Sequence, residues 1–265
     1  HMKKTYTTDS ASNYETNFGY RRVSRGEHTT LVSDVFQSVA YKYDLMNDLM
    51  SGGLHRLWKK ILINYINPRS HVQFLDVAAG TGDITLKCLD YLQKERPKNS
   101  KGFNATLCDP NNSMLKIARE KAADRGYVKG IEYITAPAEN IPIEDLSIDI
   151  CVISFGLRNV TDRSTSLSEM HRVLKFGGHF LCLEFSPEII PTLAPLYESY
   201  SKHILPWLGK IVTQDRESYQ YLVESIRKFP KPDILAEEIK RAGFSNINYH
   251  TLSGGIVAIH SGWRI

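Results

Sequence analysis

The sequence has few cysteines, no long apolar run and little excess charge of either sign. Its 265 residues include four cysteines, none in a CxxC pair or beside a histidine at metal-ligand spacing. No apolar run approaches the roughly 18 to 20 residues of a membrane-spanning helix. The 33 basic and 29 acidic side chains leave a formal net charge of +4, without the dense basic stripe that is typical of nucleic-acid binding. We therefore expect no metal site, no membrane span and no nucleic-acid partner.

The composition is that of a folded protein of ordinary polarity. Hydrophobic residues make up 42% and charged residues 23% of the chain, which is typical of a globular protein. The length fits a single large α/β domain. Three of the four cysteines, Cys108, Cys151 and Cys182, lie within apolar runs, so we expect buried free thiols rather than disulfides.

Hydrophobic periodicity divides the chain into a lead-in and one domain. Residues 1–30 are rich in Thr, Ser, Asn and Gly and predict a flexible segment, and the domain is expected over 31–265. Its first part, 31–67, has helical spacing that includes a helix over 54–66. Residues 186–229 carry many apolar side chains without strand alternation and predict a helical insertion that binds substrate.

Between these segments, short apolar runs alternate with helical patterns. The runs at 74–78, 105–108, 131–134, 148–154 and 180–185 predict parallel strands. Two further runs, 247–251 and 255–260, have no helix between them and predict an antiparallel hairpin at the sheet edge. The sequence therefore predicts an α/β fold, with a Rossmann-like sheet that has helices on both faces.

The strongest local signal is a glycine-rich turn between the first of these strands and a helix. Gly80 and Gly82 let a ligand approach the backbone at the carboxyl end of the strand. A dinucleotide site would require a third glycine at Thr85 and a helix start free of negative charge, whereas Asp83 stands there. Asp83 instead suits a cationic ligand, and Asp76 at the strand end adds a carboxylate that can face an ammonium or sulfonium group.

A third acidic residue, Asp109, ends the next strand, where a carboxylate can accept hydrogen bonds from ribose hydroxyls. S-adenosylmethionine (SAM) carries an ammonium, a sulfonium and a ribose diol but no phosphate, so it matches these residues. The alternative is a glycine turn with acidic helix caps and no ligand.

Four longer motifs resemble those of one enzyme family. They are residues 43–58 (YDLMNDLMSGGLHRLW), 154–162 (SFGLRNVTD), 172–186 (RVLKFGGHFLCLEFS) and 254–260 (GGIVAIH). They are similar to the signatures of the ubiquinone and menaquinone biosynthesis C-methyltransferases, especially the mitochondrial ubiquinone branch. The likeness extends from about Phe18 to the end of the chain. It implies a class I SAM-dependent methyltransferase that methylates a ring carbon of a polyprenylated methoxy-benzoquinol.

The resemblance also implies which residues bind the cofactor. They are Thr81 in the glycine turn, Asp109 at the ribose, Ala138 at the adenine and Ser154 at the end of the fourth strand. Pro137 stands where the family usually has Asn, which leaves a backbone contact from Ala138. Ala79 and Phe176 are smaller departures that alter turn geometry.

The implied chemistry requires an electron-rich ring and a stabilised oxyanion. Arg158 and Asn159 follow the fourth strand, where methyltransferases of this class place substrate-facing residues. Because arginine stays protonated, we expect Arg158 to stabilise the phenolate and Asn159 to position the hydroxyl or a water. Tyr41 and His55 belong to the amino-terminal signature, and His55 is the more conventional base. The alternatives are a salt bridge from Arg158 to Asp162 and a structural role for His55.

The resemblance extends to partners and location. It implies a polyprenyl benzoquinol substrate, a complex with other ubiquinone-biosynthesis proteins, a homodimer, peripheral membrane contact and the mitochondrial matrix. The insertion over 186–229 is expected to bind the polyprenyl tail, although its apolar side chains can instead cover the sheet or form a dimer interface. A small-molecule O- or N-methyltransferase and a catalytically silent scaffold are the alternative functions.

Overall fold

The computed structural model of the protein describes residues 15–18, 20–24, 26–28, 30–31, 51, 53–95, 102–187 and 216–265. The helices in these residues are α1 (Leu54–Ile66), α2 (Asp83–Glu95), α3 (Asn112–Asp124), α4 (Arg163–Val173), α5 (Arg216–Lys228) and α6 (Pro232–Arg241). The strands are β1 (Glu15–Phe18), β2 (Arg21–Ser24), β3 (Gln73–Val77), β4 (Asn104–Asp109), β5 (Ile131–Thr135), β6 (Ile148–Ser154), β7 (Leu174–Phe185), β8 (Ser245–Leu252) and β9 (Val257–Trp263).

Strands β3 to β9 form one mixed sheet in the order β5-β4-β3-β6-β7-β9-β8. The first five strands of this order pair in parallel, whereas β9 pairs antiparallel with both β7 and β8. The predicted parallel sheet and its antiparallel edge hairpin are therefore confirmed. The chain runs outward from β3 to β5 and returns to β6 on the other side of β3. The crevice between the carboxyl ends of β3 and β6 is where such sheets bind ligands.

Side chains that alternate along the strands fill two cores, one on each face of the sheet. On β3, Phe74 belongs to one buried cluster, while Leu75 and Val77 belong to the other. The first cluster includes Trp58 of α1, and the second includes Leu235 of α6. Helices on both faces are thus confirmed, and they explain why the strands are continuous apolar runs.

The four cysteines are buried free thiols, as the sequence predicts. Burial raises the pKa of each thiol above its ordinary value. A thiol in this environment behaves as a small apolar side chain rather than as a nucleophile.

Strand β7 begins earlier than the apolar run indicates. The sequence places Gly177 and Gly178 before the strand, but the structure includes both in β7. The Gly177 N–H donates to the carbonyl oxygen of Arg264 (2.7 Å), and the Arg264 N–H donates to that of Gly178 (3.1 Å). Hydrogen bonds to Arg264, close to residue 265, thus extend the pairing of β7. A local sequence pattern does not reveal such a remote partner.

The amino-terminal segment also differs from expectation. Residues 15–18 and 21–24, which the sequence assigns to a flexible lead-in, form the antiparallel strands β1 and β2. The Thr16 hydroxyl donates to the carbonyl oxygen of Thr161 (3.3 Å), and the Tyr20 N–H donates to Glu224 in α5 (2.8 Å). These tertiary contacts hold a segment whose own composition predicts little structure.

Several sequence predictions lie outside the described residues. They include most of the expected helical segment before residue 51, most of the insertion over 186–229, and Tyr41. Helix α1 coincides with the helix predicted over 54–66, and α5 occupies the end of the insertion. In the part of the chain that the structure covers, none of the helices combines the length and apolar character of a membrane span.

The packing of α2 against the sheet is testable at Gly82. This residue has a φ of 76°, and a Cβ atom there would lie 2.9 Å from Leu107 Cδ2 and 3.1 Å from Ala118 Cβ. We expect Gly82→Ala to lower the free energy of unfolding by about 2 to 4 kcal/mol in chemical denaturation, because steric overlap adds to backbone strain. The matched control is Gly126→Ala, which has a φ of 80° but nothing within 4 Å and should lose only about 1 kcal/mol. Equal losses would contradict the packing argument.

Candidate active site

A buried carboxylate joins the glycine turn to the next loop of the sheet. Asp109, at the end of β4, accepts hydrogen bonds from the N–H of Gly80 (2.8 Å) and the N–H of Asn111 (2.8 Å), one at each oxygen. Burial raises the pKa of Asp109 to about 6, and these two hydrogen bonds oppose the rise. Each oxygen retains a lone pair, so Asp109 orders the turn and can still accept hydrogen bonds from a diol.

The second buried carboxylate, Asp76, lies near the end of β3. It accepts hydrogen bonds from the hydroxyl (2.8 Å) and the backbone N–H (3.3 Å) of Thr85 in the first turn of α2. Burial raises the pKa of Asp76 to about 7, although both hydrogen bonds oppose the rise. Asp76 therefore caps α2, which is what the alternative of a glycine turn with acidic caps and no ligand predicts. Because the carboxyl group is buried, its ionised form is costly unless a cation lies nearby.

Asp83 does not have the role that the sequence suggests. Its carboxylate pairs with the ammonium groups of Lys59 in α1 (2.7 Å) and Lys87 in α2 (3.6 Å). Burial favours the neutral acid, but the nearby lysines outweigh this effect and lower the pKa of Asp83. The expectation that Asp83 suits a cationic ligand is wrong, because its charge is already compensated by an ion pair between α1 and α2.

The other predicted cofactor residues lie at the same edge of the sheet. Thr81 is buried, and its hydroxyl accepts a hydrogen bond from Lys121 (3.0 Å). The buried Oγ of Ser154, at the end of β6, has no hydrogen-bond partner among the described residues. Ala138 is buried in the loop after β5. Gly80 has a φ of 54° and space beside it, so backbone conformation rather than close packing favours glycine there.

The loops after β3 and β6 touch each other. Ala78 and Phe155 follow these strands in the left-handed region, with φ values of 52° and 55°, which is uncommon for residues with a side chain. A Cβ atom on Gly156 would lie only 2.5 Å from the Cβ of Ala78. Sequence reasoning missed this contact, although a glycine within the 154–162 motif was a signal for it.

Arg158, in the turn after β6, forms a buried ion pair. Its Nη1 donates to Glu184 Oε1 (2.9 Å) and to the carbonyl oxygen of Phe155 (2.7 Å). The two charged side chains are only 6% and 1% exposed, and Arg158 Nε is buried with no hydrogen-bond partner in the described part of the chain. The alternative named Asp162 as the salt-bridge partner of Arg158, whereas the partner in the structure is Glu184 of β7. Asp162 instead caps α4 by accepting a hydrogen bond from the Thr165 N–H (3.1 Å).

Asn159 takes part in a second polar contact, which joins distant parts of the chain. The Tyr221 hydroxyl, from α5, donates to Asn159 Oδ1 (3.0 Å), while Asn159 Nδ2 donates to the carbonyl oxygen of Phe155 (3.4 Å). The Tyr221 ring stacks on Phe18 of β1, with ring centroids 4.3 Å apart. Burial raises the pKa of Tyr221 to about 12, so it acts as a neutral donor. Sequence reasoning missed Tyr221 because its partner belongs to a remote segment.

His55 makes local hydrogen bonds at the start of α1. Its Nδ1 lies 3.0 Å from the Ser51 hydroxyl oxygen, which also accepts a hydrogen bond from the His55 N–H (3.2 Å). The side chain is buried. These hydrogen bonds to Ser51 are of the kind that the structural alternative predicts, and the catalytic role of His55 stays a prediction.

A cavity of about 400 Å³ lies beside Arg158. Its walls come from β1, the turn after β6, α4, α5 and α6, and they are mostly polar or charged. Val160 and Phe229 are the apolar side chains in this lining. The cavity is therefore better suited to a polar group than to an apolar tail.

Comparisons with known proteins identify the family. The sequence profile of the ubiE/COQ5 methyltransferase family matches residues 23–264. The chain is 51% identical over 253 residues to the ubiquinone/menaquinone biosynthesis C-methyltransferase UbiE of Bradyrhizobium sp., covering 94% of this chain and 97% of that protein. It is 43% identical over 277 residues to the mitochondrial 2-methoxy-6-polyprenyl-1,4-benzoquinol methylase of Mus musculus, covering 95% and 85%. The chain belongs to the ubiE/COQ5 methyltransferase family.

The fold comparison agrees with this assignment. The crystal structure of a SAM-dependent methyltransferase from Thermotoga maritima aligns with a TM-score of 0.60 at 17% identity, covering 88% of this chain and 100% of that one. At this identity the likeness shows the fold alone. That fold is the methyltransferase sheet that the sequence predicts. The predicted resemblance is confirmed, and the protein is a C-methyltransferase of the ubiE/COQ5 family.

The family and fold imply SAM as the methyl donor, and the residues of the site fit such a ligand. Asp76 and Asp109 are buried, and neither carboxylate is ion-paired within the described residues. The buried Ser154 Oγ has unused hydrogen-bonding capacity there. A cationic ligand with a diol would compensate the charge and use that capacity.

The raised pKa of Asp76 predicts a pH-dependent difference between the wild type and Asp76→Asn. The folded-state pKa of about 7 exceeds the ordinary value of 3.8. Between these values the unliganded folded state binds the extra proton, so the stability from this group falls as the pH rises. The free energy of unfolding of Asp76→Asn minus that of the wild type should therefore increase from about pH 4 to about pH 7, as measured by denaturant titration.

The matched control is Asp124→Asn, at the exposed end of α3. This variant removes one carboxylate from the surface, and it shows how much of the pH dependence comes from the change in net charge alone. A difference for Asp76→Asn that stays constant with pH would contradict the assigned burial effect.

Proposed function

We propose that this protein transfers the methyl group of SAM to a ring carbon of a polyprenylated methoxy-benzoquinol in ubiquinone biosynthesis. The names of its relatives support this substrate. The observation that carries the proposal is the buried Arg158, whose Nε has no hydrogen-bond partner among the described residues. A buried donor without a partner is costly. Here it is available to an oxyanion, beside the loop that we assign to the cofactor.

The residues that we assign to SAM share the carboxyl ends of the parallel strands. They are Asp76, Gly80, Thr81, Gly82, Asp109, Ala138 and Ser154. Asp109 would accept hydrogen bonds from the ribose hydroxyls, and Asp76 would compensate the ammonium charge. Ala138 would contact the adenine through its backbone, because Pro137 offers no polar side chain. When bound, SAM supplies an electrophilic methyl group.

Methylation of the ring carbon requires that the neighbouring hydroxyl lose its proton, because the phenolate raises electron density at that carbon. The methyl group would pass from SAM to that carbon with S-adenosylhomocysteine as the leaving group, and the proton on the methylated carbon would pass to water, which restores the aromatic ring. Arg158 donates hydrogen bonds to the phenolate oxygen and stabilises it. It does not accept the proton, since the guanidinium stays protonated.

Asn159 positions the acceptor hydroxyl, or a water that removes its proton. The amide is oriented by Tyr221 at its oxygen and by the Phe155 carbonyl at its nitrogen, which leaves one N–H for the acceptor. Tyr221 is a positioning residue in this scheme, because its raised pKa makes it a poor base. Tyr41, from the amino-terminal signature, stays a predicted catalytic residue, and so does His55.

We extend the proposal to a peripheral membrane contact that presents the polyprenyl tail. Leu54 and Leu57, at the start of α1, are 40% and 51% exposed, and the same helix packs Trp58 against Phe155 of the loop after β6. Exposed apolar side chains at this edge suit a lipid tail better than the polar cavity beside Arg158 does. The insertion stays the predicted tail-binding segment. The mitochondrial matrix, a homodimer and a biosynthetic complex stay predictions from the family resemblance.

Transfer to carbon is testable with labelled SAM and a short-tailed demethylated benzoquinol kept under reducing conditions. We expect the label on a ring carbon, located by mass spectrometry, and no product from the oxidised quinone. Transfer to oxygen or nitrogen would identify the alternative methyltransferase. Failure to bind SAM in calorimetry would instead indicate the silent scaffold.

The roles of Arg158 and Tyr221 are testable with two conservative substitutions. Arg158→Lys keeps the charge but loses the planar fork, so kcat should fall by about a hundredfold while SAM affinity is retained. Tyr221→Phe removes one hydrogen bond and should lower kcat by about tenfold or less. Arg125→Lys and Tyr127→Phe, whose side chains bond Asp90 on the surface, are matched controls with wild-type turnover expected. Wild-type kcat in Arg158→Lys would refute the oxyanion role.

A further inference from the structure

Glu184 lies in the 172–186 motif, and the mechanism above gives it no role. It stands at the carboxyl end of β7 and is among the most buried charged residues of the described chain. Its carboxylate accepts three hydrogen bonds, from Arg158 Nη1 (2.9 Å), from the Arg158 N–H (3.2 Å) and from the Phe185 N–H (2.8 Å). Two of these donors belong to Arg158, so Glu184 orients both the side chain and the backbone of that residue.

The pair also controls the charge of the site. Arg158 lies two residues after Gly156, whose backbone lies against Ala78 in the loop before the glycine turn. An uncompensated guanidinium at this place would repel the sulfonium of the cofactor. In the pair with Glu184 the net charge is zero, yet Nε remains a donor without a partner among the described residues.

We propose that Glu184 is a positioning residue that compensates the charge of Arg158 and orients its guanidinium, so that the site accepts a cationic cofactor beside a phenolate. The compensation of charge affects the binding of the cofactor, whatever the methyl acceptor is. The benefit to a phenolate acceptor rests on the proposed function.

Among the described residues, the titratable groups that interact with the pair are neutral. Tyr221 faces it from α5 and Cys182 from β7. Burial raises the pKa of Tyr221 to about 12 and the pKa of Cys182 well above its ordinary value, so both are neutral near neutral pH. Arg163, the next charged group, is paired with Glu238 of α6.

The first test compares the affinities of SAM and S-adenosylhomocysteine by calorimetry, because the two ligands differ by the sulfonium charge. Glu184→Gln leaves Arg158 uncompensated, so the ratio of the SAM Kd to the S-adenosylhomocysteine Kd should rise by roughly fivefold or more. The double variant Glu184→Gln with Arg158→Gln removes both charges and should return the ratio to that of the wild type. An unchanged ratio in Glu184→Gln would overturn the charge compensation.

Two further variants keep the test decisive. Asp149→Asn removes one carboxylate from an ion pair with Lys175 (2.9 Å) at the other end of β6 and should leave the ratio unchanged. If Glu184→Gln fails to fold, Arg158→Gln is measured instead, because it leaves the Glu184 carboxylate without a compensating charge. The ratio should then fall below that of the wild type, and a ratio that does not fall would overturn the proposal.

The second test is the pH dependence of kcat, which reports groups in the enzyme–substrate complex. In Glu184→Gln the uncompensated guanidinium favours the phenolate more strongly, so the acidic limb should move to lower pH by about one unit, together with a lower kcat. A merely structural role would lower kcat without moving this limb. Glu184→Asp keeps the charge and should keep the limb and the affinity ratio of the wild type.

The two tests separate the two proposals. If no methyl group reaches the benzoquinol but the affinity ratio shifts, the proposed acceptor is wrong and the charge compensation stands. If the wild type methylates the benzoquinol while Glu184→Gln changes neither the ratio nor the acidic limb, the function stands and the role of Glu184 is refuted.

Discussion

The close contact of Gly156 with Ala78 brings the two halves of the active site together. The glycine turn follows β3 and Arg158 follows β6, so the distance between these loops determines how near the residues that we assign to the cofactor lie to those that we assign to the acceptor. A side chain at position 156 would overlap the Cβ of Ala78. Ala78 and Phe155 have left-handed backbone conformations here. Such a conformation costs about 1 to 3 kcal/mol for each residue, and it persists where function requires it.

Charge compensation differs between the two halves. On the cofactor side, Asp76 and Asp109 have pKa values raised by burial, and no described cation pairs with them. On the acceptor side, Arg158 is already paired with Glu184. A positive ligand is thus favoured beside the glycine turn, while the neutral pair offers hydrogen-bond donors to a developing oxyanion. This arrangement is what a cationic methyl donor and a phenolate acceptor require of neighbouring sites.

The acceptor side also depends on parts of the chain outside the cofactor sheet. The antiparallel pair of β1 and β2 reaches the turn after β6 through Thr16, and it packs Phe18 on Tyr221 of α5. Tyr221 in turn orients Asn159. Segments near opposite ends of the chain therefore meet at the residues that we assign to the acceptor. The cofactor residues, in contrast, lie on the strands and turns of the sheet itself.

Sequence patterns predicted the features that depend on near neighbours. The alternation of strands and helices and the helix over 54–66 are both readable within a few residues. The parallel sheet then predicts that Asp76, Asp109 and Ser154 share one edge, because the carboxyl ends of parallel strands meet there. The pair of β1 and β2 was not predictable in this way, since its stabilising contacts come from remote segments.

The sequence by itself determined the fold class and the family, because periodicity and long motifs are properties of consecutive residues. Only the tertiary structure decided which charges are compensated. The pairing of β6 with β7 places Glu184 rather than Asp162 beside Arg158, and the packing of α1 against α2 places Lys59 beside Asp83. Ion pairs and hydrogen bonds depend on distance in space, and residues far apart in sequence become neighbours only after the chain has folded.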